Sequence, residues 1–481
     1  MNTVMRRWFR LSLVLAGILS SAQASVGFAQ SCTGGQLDTS YGPSGSNGFV
    51  QVSPLFSIPT PDGLGGDYEG IRSDAKSNVY VTAPASVDSD GDTVGAISKS
   101  ASNGNRDSTF GGFGTVVPGG QPLSGYAAMT IDGAGNLLVA NAGFIDLFGP
   151  TPTDVIVVSR YSASGVVDAS YGDGVSGVAT IPLGVSAPID LRAGSDGSVI
   201  IAASTIDPVS SRRVPVAVKL TPSGVLDATF GTGGIAFFYN AAFAATFGPT
   251  GKATDVAIQS DGRILIAGRV GDNVTFNQFF VARLLANGVL DTSFGTSAGM
   301  TIVSFGGVGT SGAIAFGRKM AVQSDGKIVV VGGLSATNGG PSTGTGVIRL
   351  TTTGQLDTTF NGTGKQMIAP GPGGVAAFNV ALQDNDKILL AGQQFVDAGQ
   401  TVTLAAVMRL TSTGQPDPTF GTGGVSTLVS PLGGNTGISG VTYTPLKPTG
   451  NIVVSVGADN RVAKSATYLA QLDSGHATKC H

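Results

Sequence analysis

The chain has 481 residues, of which 74 are Gly and only 12% are charged, about half the charged share usual in soluble domains. Asp and Glu together number 30, and Glu69 is the only Glu, so 29 are Asp. Because Glu favours helices whereas Asp and Gly favour turns, this composition predicts an all-β chain without long helices. The net charge of −3 and the scattered Lys and Arg residues argue against nucleic acid as a partner.

The N-terminal segment has the order of a secretory signal peptide. Three Arg residues within positions 6–10 precede the apolar run 11–19, and Ala22-Gln23-Ala24 offers a cleavage site. The run is too short for a membrane span, and no later stretch is long and apolar enough to form one. We therefore expect residues 1–29 to be a signal peptide, typical of bacteria, and residues 30–481 to be exported to the periplasm or the cell exterior.

A hexapeptide of the form Leu-Asp-x-Thr/Ser-aromatic-Gly occurs seven times in the chain. Successive copies begin 59 to 69 residues apart, so the hexapeptide marks a structural repeat. Single positions depart from the pattern at Arg106, Asn361, Pro416 and Pro418. The copies are Leu37–Gly42, Arg106–Gly111, Val167–Gly172, Leu226–Gly231, Leu290–Gly295, Leu356–Asn361 and Pro416–Gly421.

Each repeat contains four short apolar runs, and the one that starts at Leu226 shows them best. The runs are Gly234–Phe238, Ala253–Gln259, Ile264–Gly268 and Phe279–Leu284, with Asp-Gly and Asn-Gly turn signals among them. Such runs predict four antiparallel strands, the strand after the hexapeptide being first in its blade. Seven such units without helices between them favour a single seven-bladed β-propeller domain, residues 30–481. An open β-solenoid is the alternative, although its coils are usually shorter.

The hexapeptides, together with the turn sequence Gln-Ser-Asp-Gly-Lys/Arg at Gln259–Arg263 and Gln323–Lys327, resemble the delta-60 repeat family of bacterial exported proteins. The resemblance extends from Leu37 to about Leu472. It implies a β-propeller, and it carries no established activity.

The two cysteines, Cys32 and Cys480, lie near the two ends of the chain. Leu472 aligns in the repeat with Leu220, at the end of a fourth strand, whereas the first hexapeptide has no strand before it. The last blade should therefore end close to the first linker. In an oxidising compartment a Cys32–Cys480 disulfide would fasten the ring. Two unrelated thiols, or lipidation of Cys32, are the alternatives.

The Asp of the hexapeptide recurs at the same place in every unit, which favours a structural role over a catalytic or metal-binding one. Its side chain can accept a backbone N–H two residues on and fix the turn, while the aromatic neighbour packs between blades. The seven residues are Asp38, Asp107, Asp168, Asp227, Asp291, Asp357 and Asp417.

One loop contains alternating acidic residues, Asp88, Asp90 and Asp92, whose oxygens could surround Ca²⁺. Lys99 stands where a calcium loop needs a bidentate Glu, so a solvated loop without any cofactor is the interpretation we favour. The pair Arg212-Arg213 could meet a carboxylate or a sugar acid, although a surface pair without a ligand is favoured there too.

Successive connections alternate between the two faces of a propeller. One face carries the uniform Asp-Gly turns and the hexapeptides. The other carries loops that differ in length and composition, and we expect any binding surface there. These variable loops are Ser53–Glu69, Gly143–Thr153, Ile206–Arg213, Asn240–Lys252, Phe305–Arg318 and Leu334–Gly344.

Both histidines, His476 and His481, lie at the C-terminus, which excludes a His-based triad or zinc site in the body of the fold. We therefore favour a monomeric, non-catalytic binding or scaffold propeller with an unknown protein or glycan ligand. The alternative is a carboxylate-dependent polysaccharide hydrolase or lyase with its site near the axis. That alternative requires two Asp residues outside the hexapeptides to converge within about 10 Å.

Overall fold

The computed structural model describes residues 36–473 with short gaps. Within the described part, no helix is long and apolar enough to cross a membrane. The gaps are residues 48, 52–69, 88–92, 113, 117–127, 146–152, 173, 184–187, 208–209, 240–242, 246–247, 249, 272–277, 306–313, 336–341, 370, 372–373, 398–401, 430, 432–434, 445–450 and 460–464.

The described residues form seven antiparallel sheets of four strands each, which confirms the seven-bladed β-propeller. Strand β1 is Phe49–Gln51. Blade one contains β2 (Ile71–Ser73), β3 (Val79–Val87), β4 (Thr93–Ser100) and β5 (Thr115–Val116); blade two contains β6 (Ala128–Ile131), β7 (Leu137–Ile145), β8 (Thr153–Tyr161) and β9 (Val178–Pro182); blade three contains β10 (Pro188–Ala193), β11 (Val199–Ile206), β12 (Arg213–Leu220) and β13 (Ile235–Ala236).

The remaining blades repeat this arrangement. Blade four contains β14 (Thr250–Ile258), β15 (Ile264–Gly271), β16 (Gln278–Leu284) and β17 (Met300–Ser304); blade five contains β18 (Ile314–Val322), β19 (Ile328–Ser335), β20 (Ser342–Leu350) and β21 (Lys365–Ile368). Blade six contains β22 (Ala376–Leu382), β23 (Ile388–Phe395), β24 (Thr403–Leu410) and β25 (Val425–Leu428); blade seven contains β26 (Asn435–Thr444), β27 (Asn451–Asp459) and β28 (Ser465–Asp473), to which β1 is added.

The first strands of neighbouring blades contact one another, so they surround the axis and the fourth strands lie at the rim. The ring is closed, because β2 of blade one contacts β26 of blade seven. A hydrogen bond of 3.0 Å between the hydroxyls of Ser73 and Thr442 crosses that junction. This closure excludes the open solenoid.

The strand after each hexapeptide belongs to the preceding blade, so the expectation that it is first in its own blade is wrong. In blade three, β13 pairs with β12, with Ala236 opposite Ala217. The hexapeptide folds the chain back on the strand it has just left: the N–H of Lys219 donates to the carbonyl of Gly234 at 2.9 Å. The hexapeptide is therefore a tight link within one sheet.

The N-terminal strand completes the last blade. Strand β1 pairs with β28, with Phe49 opposite Ala470, and the N–H of Asp38 donates to the carbonyl of Gln471 at 2.9 Å. The two described ends of the chain therefore meet, as the repeat frame predicted. Leu472 lies at the end of the third strand of its blade, not the fourth, because the strand after a hexapeptide is the fourth strand of the preceding blade.

The core consists of layers between neighbouring sheets, and each hexapeptide contributes its aromatic ring to one of them. Phe230 of blade three, for example, packs with Ile264, Ile266 and Leu284 of blade four. All seven rings are at most 2% exposed: Tyr41, Phe110, Tyr171, Phe230, Phe294, Phe360 and Phe420. The hexapeptide therefore joins one blade to the next as well as turning the chain.

A glycine of the following blade lies directly against this ring. Gly354 has φ +85°, and a Cβ at this residue would lie 2.7 Å from the Phe294 ring and 2.8 Å from the backbone nitrogen of Gly295. Gly135, in the first turn of blade two, has the same φ, but a Cβ there would meet no atom within 4 Å. Substitutions at these two positions can therefore distinguish the cost of a left-handed backbone from the cost of a steric clash.

We expect Gly354→Ala to lower the free energy of unfolding by about 3 kcal/mol or more, because a left-handed backbone and a backbone clash add together. Gly135→Ala should lower it by only about 1 kcal/mol, the backbone term alone. Urea unfolding followed by circular dichroism measures both. Equal losses in the two variants would show that the ring contact does not constrain the linker.

Candidate ligand-binding site at the propeller axis

Each hexapeptide Asp binds its own turn in the same way. In blade six, Oδ1 of Asp417 accepts hydrogen bonds from the backbone N–H and the hydroxyl of Thr419, at 3.0 and 2.7 Å. The same two bonds join Asp38 to Ser40, Asp107 to Thr109, Asp168 to Ser170, Asp227 to Thr229, Asp291 to Ser293 and Asp357 to Thr359.

A cation eight residues earlier, on the third strand of the blade, pairs with the other oxygen of this Asp in blades one to six. In blade six, Nε of Arg409 lies 2.9 Å from Oδ2 of Asp417, and its guanidinium carbon lies 4.7 Å from the centre of the Phe420 ring. Burial raises the pKa of Asp417, but hydrogen bonds from Lys387 and Thr419 outweigh it and hold the pKa below its usual value. These contacts fit a structural role in the linker.

Several predicted site residues lie outside the described part of the chain: Asp88, Asp90, Asp92, Cys32 and Cys480. The calcium site and the disulfide therefore stay predictions. Most of the variable loops also lie outside it.

The described strands extend further into the variable loops than the apolar runs suggested. Strand β11, for example, continues to Ile206, and its polar residues Ser204 and Thr205 are buried.

A cluster of charged side chains fills part of the axis. Asp190 and Arg192 lie on β10, Asp255 on β14, Lys319 on β18 and Arg72 on β2. Nη2 of Arg72 lies 2.8 Å from Oδ1 of Asp190, a contact between blades one and three, which are not neighbours. Arg192 bridges both carboxyl groups, at 2.6 Å from Oδ2 of Asp190 and 3.3 Å from Oδ1 of Asp255. The cluster therefore links blade one to blades three and four across the axis.

The pKa values of the two axial carboxyl groups are shifted in opposite directions. Burial raises the pKa of Asp190, but Arg192, Lys319 and Arg72 outweigh it and hold that pKa well below its usual range. Burial and the adjacent charge of Asp190 raise the pKa of Asp255 to about 7. A hydrogen bond joins the two groups, and the N–H of Met320 donates to Oδ2 of Asp255 at 2.6 Å. Asp255 therefore holds a proton below neutral pH.

The raised pKa of Asp255 makes a testable contribution to stability. In the unfolded chain this group ionises near pH 4, so between about pH 4 and 7 the folded state binds more protons and stability falls as the pH rises. Asp255→Asn replaces the carboxyl group with an amide, which is neutral at every pH. We expect urea unfolding from pH 5 to 8 to show wild type losing stability relative to this variant. If stability depends on pH in the same way in wild type and in the variant, the raised pKa of Asp255 is wrong.

An open pocket of about 410 Å³ lies at the axis, beside this cluster. It is formed by the ends of the first strands of blades one, two, three, six and seven, next to the uniform turns. Its polar lining residues are Arg72, Ser73, Thr130, Arg192, Thr442 and Tyr443. The side chains of Arg72 and Arg192 are 24% and 28% exposed, whereas those of Asp190 and Asp255 are 1% exposed. The pocket therefore presents cations, with the carboxyl groups buried behind them.

Sequence reasoning missed this cluster because its residues do not repeat. Asp190, Asp255 and Lys319 occupy the position that is Gly70 in blade one and Gly440 in blade seven. The available signal was a charged residue in the middle of an apolar run, as in Ala253–Gln259. A charge on a strand that is buried in a predicted ring is paired with another charge or is functional.

The sheets and their charged axis define a β-propeller built from sequence repeats. Four stretches, residues 194–230, 259–294, 323–360 and 383–420, match the family model of a domain of unknown function (DUF5122) beta-propeller. This family is the delta-60-like propeller repeat, so the four matching stretches confirm the resemblance. A comparison with curated proteins found no match.

Several solved structures have a similar fold. Polysaccharide lyase Uly1 is 10% identical, with a TM-score of 0.49 over 89% of this chain and 99% of that chain. The Penicillium chrysogenum alpha-L-arabinanase complexed with arabinobiose is 8% identical, with a TM-score of 0.41 over 88% and 98%. A protein of unknown function from Dyadobacter fermentans is 10% identical, with a TM-score of 0.38 over 89% and 99%. These likenesses concern the fold alone.

Proposed function

We propose that the chain is a non-catalytic binding propeller, which presents the variable loops of one face to a protein or glycan ligand. The rigid seven-bladed ring supports this proposal, because binding residues commonly lie on variable loops held by a fixed scaffold. In the described blades the second strands end and the third strands begin at this face, and the fourth strands also end there.

The observation that carries the non-catalytic interpretation is the state of the axial carboxyl groups. Asp190 and Asp255 do converge at the axis, as the alternative of a hydrolase or lyase requires. They are hydrogen-bonded to each other, bridged by Arg192 and 1% exposed. A glycosidase holds its two carboxyl groups about 5 to 9.5 Å apart, on either side of the scissile bond. A directly bonded pair leaves no room for a sugar between them.

The alternative keeps one supporting observation, which is that a protonated Asp255 lies beside a pocket. A polysaccharide hydrolase or lyase acting through it would release new reducing ends from an acidic polysaccharide. Asp255→Asn should abolish that release if the alternative holds. If the chain is a non-catalytic binding propeller, neither wild type nor the variant releases reducing ends.

Export and ring closure by a disulfide are part of the proposal. The segment 1–29 supports export. The pairing of Leu37 with Leu472 supports the disulfide, because these residues are five and eight positions away in sequence from Cys32 and Cys480. Intact mass and a thiol count on the secreted protein measure both features. Two reactive thiols, or an added lipid mass, would overturn the disulfide.

A screen of glycans and proteins against the mature, oxidised chain tests the binding function, with and without Ca²⁺ because of Asp88–Asp92. Residues 336–341 connect β19 to β20. Replacing them with the same number of Gly and Ser residues should lower the affinity for any ligand that the screen finds. Lys76→Gln, an exposed position on the opposite face, is the matched control. Binding that survives replacement of each variable loop in turn would overturn the assignment of the face.

A further inference from the structure

The axial pocket is lined by two cations, Arg72 and Arg192, within a chain of net charge −3. Three cations, Arg72, Arg192 and Lys319, surround the two carboxyl groups of Asp190 and Asp255. A third carboxyl group, that of Asp384, accepts a hydrogen bond from Tyr443 of the lining. The three positive charges therefore meet three negative ones, or two when Asp190 and Asp255 share a proton. The side chains of Arg72 and Arg192 line the pocket and are 24% and 28% exposed, whereas those of Asp190 and Asp255 are 1% exposed. An anion entering the pocket therefore meets these two cations first.

The rest of the lining is suited to a polyol. The hydroxyls of Ser73, Thr130 and Thr442 can donate and accept hydrogen bonds, and Tyr443 adds an aromatic ring. The Tyr443 hydroxyl donates to Oδ2 of Asp384 at 3.1 Å, which fixes the ring at the pocket wall. Apolar side chains fill the spaces between these groups.

We propose that this pocket binds a carboxylate-bearing sugar, of the hexuronic acid class. The sugar carboxylate would form an ion pair with the partly exposed side chain of Arg72 or Arg192. The hydroxyls of Ser73, Thr130 and Thr442 then form hydrogen bonds with those of the sugar. The ring of Tyr443 packs against the apolar face of the sugar. The volume of about 410 Å³ lies within the range of small-molecule pockets.

This site is distinct from the surface in the proposed function, because it opens on the face of the uniform turns. Binding at the loops and binding at the axis can therefore fail separately. Replacement of a variable loop should leave uronate binding unchanged, and changes at the axis should leave loop ligands unchanged.

Isothermal titration of the mature, oxidised chain with glucuronate and galacturonate tests the proposal, with glucose and galactose as neutral controls. We expect one uronate bound per chain and no detectable binding of the neutral sugars. Arg72→Gln should weaken uronate binding at least tenfold, which corresponds to about 1.4 kcal/mol. Lys76→Gln removes an exposed cation from the same blade, outside the pocket lining, and should bind as wild type does.

Arg72 also pairs with buried Asp190, so its variant must be shown to fold by circular dichroism. Thr442→Val keeps the shape of the pocket but removes one hydroxyl and its hydrogen bond to Ser73, so it needs the same circular dichroism control. We expect it to bind uronate several-fold more weakly than wild type. Absence of uronate binding at millimolar concentration would overturn the proposal. Wild-type affinity for uronate in both the Arg72 and the Thr442 variants, or equal affinity for inorganic sulfate and for uronate, would also overturn it.

Discussion

A chain that begins at Val52 is expected to lose about 5 kcal/mol or more of its free energy of unfolding. This truncation removes Tyr41, Phe49 and Val50, which are 2%, 8% and 7% exposed. Burial of each such side chain contributes about 1.5–3 kcal/mol, and a typical domain is stable by only about 5–15 kcal/mol. It also leaves β28 as an unpaired edge strand, which favours association between chains.

The matched control begins at Gln36, because it keeps every described contact of β1 and also lacks Cys32. Comparing the two truncated chains therefore separates strand pairing from the disulfide. Urea unfolding and size-exclusion chromatography measure stability and association. If both chains unfold at the same urea concentration, the contribution of β1 to closing the ring is negligible.

Arg409→Met is expected to lower the free energy of unfolding by about 3–5 kcal/mol, the usual result of removing one partner from a buried ion pair. Arg409 is 1% exposed, and Asp417 would lose both this charge and the hydrogen bond to Nε. Lys387, at 2.7 Å from Asp417, compensates only in part because it is 30% exposed. Urea unfolding of the variant provides the measurement.

The repeats supply a control for this substitution. Arg160 occupies the same position in blade two, but its side chain and that of Asp168 are 19% and 33% exposed. We expect Arg160→Met to lower stability by about 1 kcal/mol, since exposed pairs contribute little. Adding Asp417→Asn to Arg409→Met should recover part of the loss, because it removes the unpaired charge. Equal losses in blades two and six, or no recovery in the double variant, would argue against a buried pair.

The sequence determined the fold to the level of seven four-stranded sheets, because the hexapeptide recurs at a regular interval. It did not show which sheet receives the strand after the hexapeptide. Ile235–Ala236 is adjacent in sequence to both blades three and four, and only the tight link at Gly234 returns it to β12. Strand order along the chain does not specify hydrogen-bonding partners.

The candidate site was harder to predict than the fold for a related reason. Asp190 and Arg72 are 118 residues apart, on blades that are not neighbours in the ring, and only the closed ring brings them together. A pattern search emphasises what repeats, whereas these residues differ from their counterparts in other blades. Their charge within apolar runs was visible, but their convergence required the axis.

Strand β1 has a consequence for how the molecule folds during synthesis. Its partner β28 lies more than 400 residues later, as the pairing of Phe49 with Ala470 shows. Strand β1 therefore stays unpaired until the final segment of the chain has been synthesised. Contacts so distant in sequence form slowly, so we expect the closing of the ring to be the last step of folding.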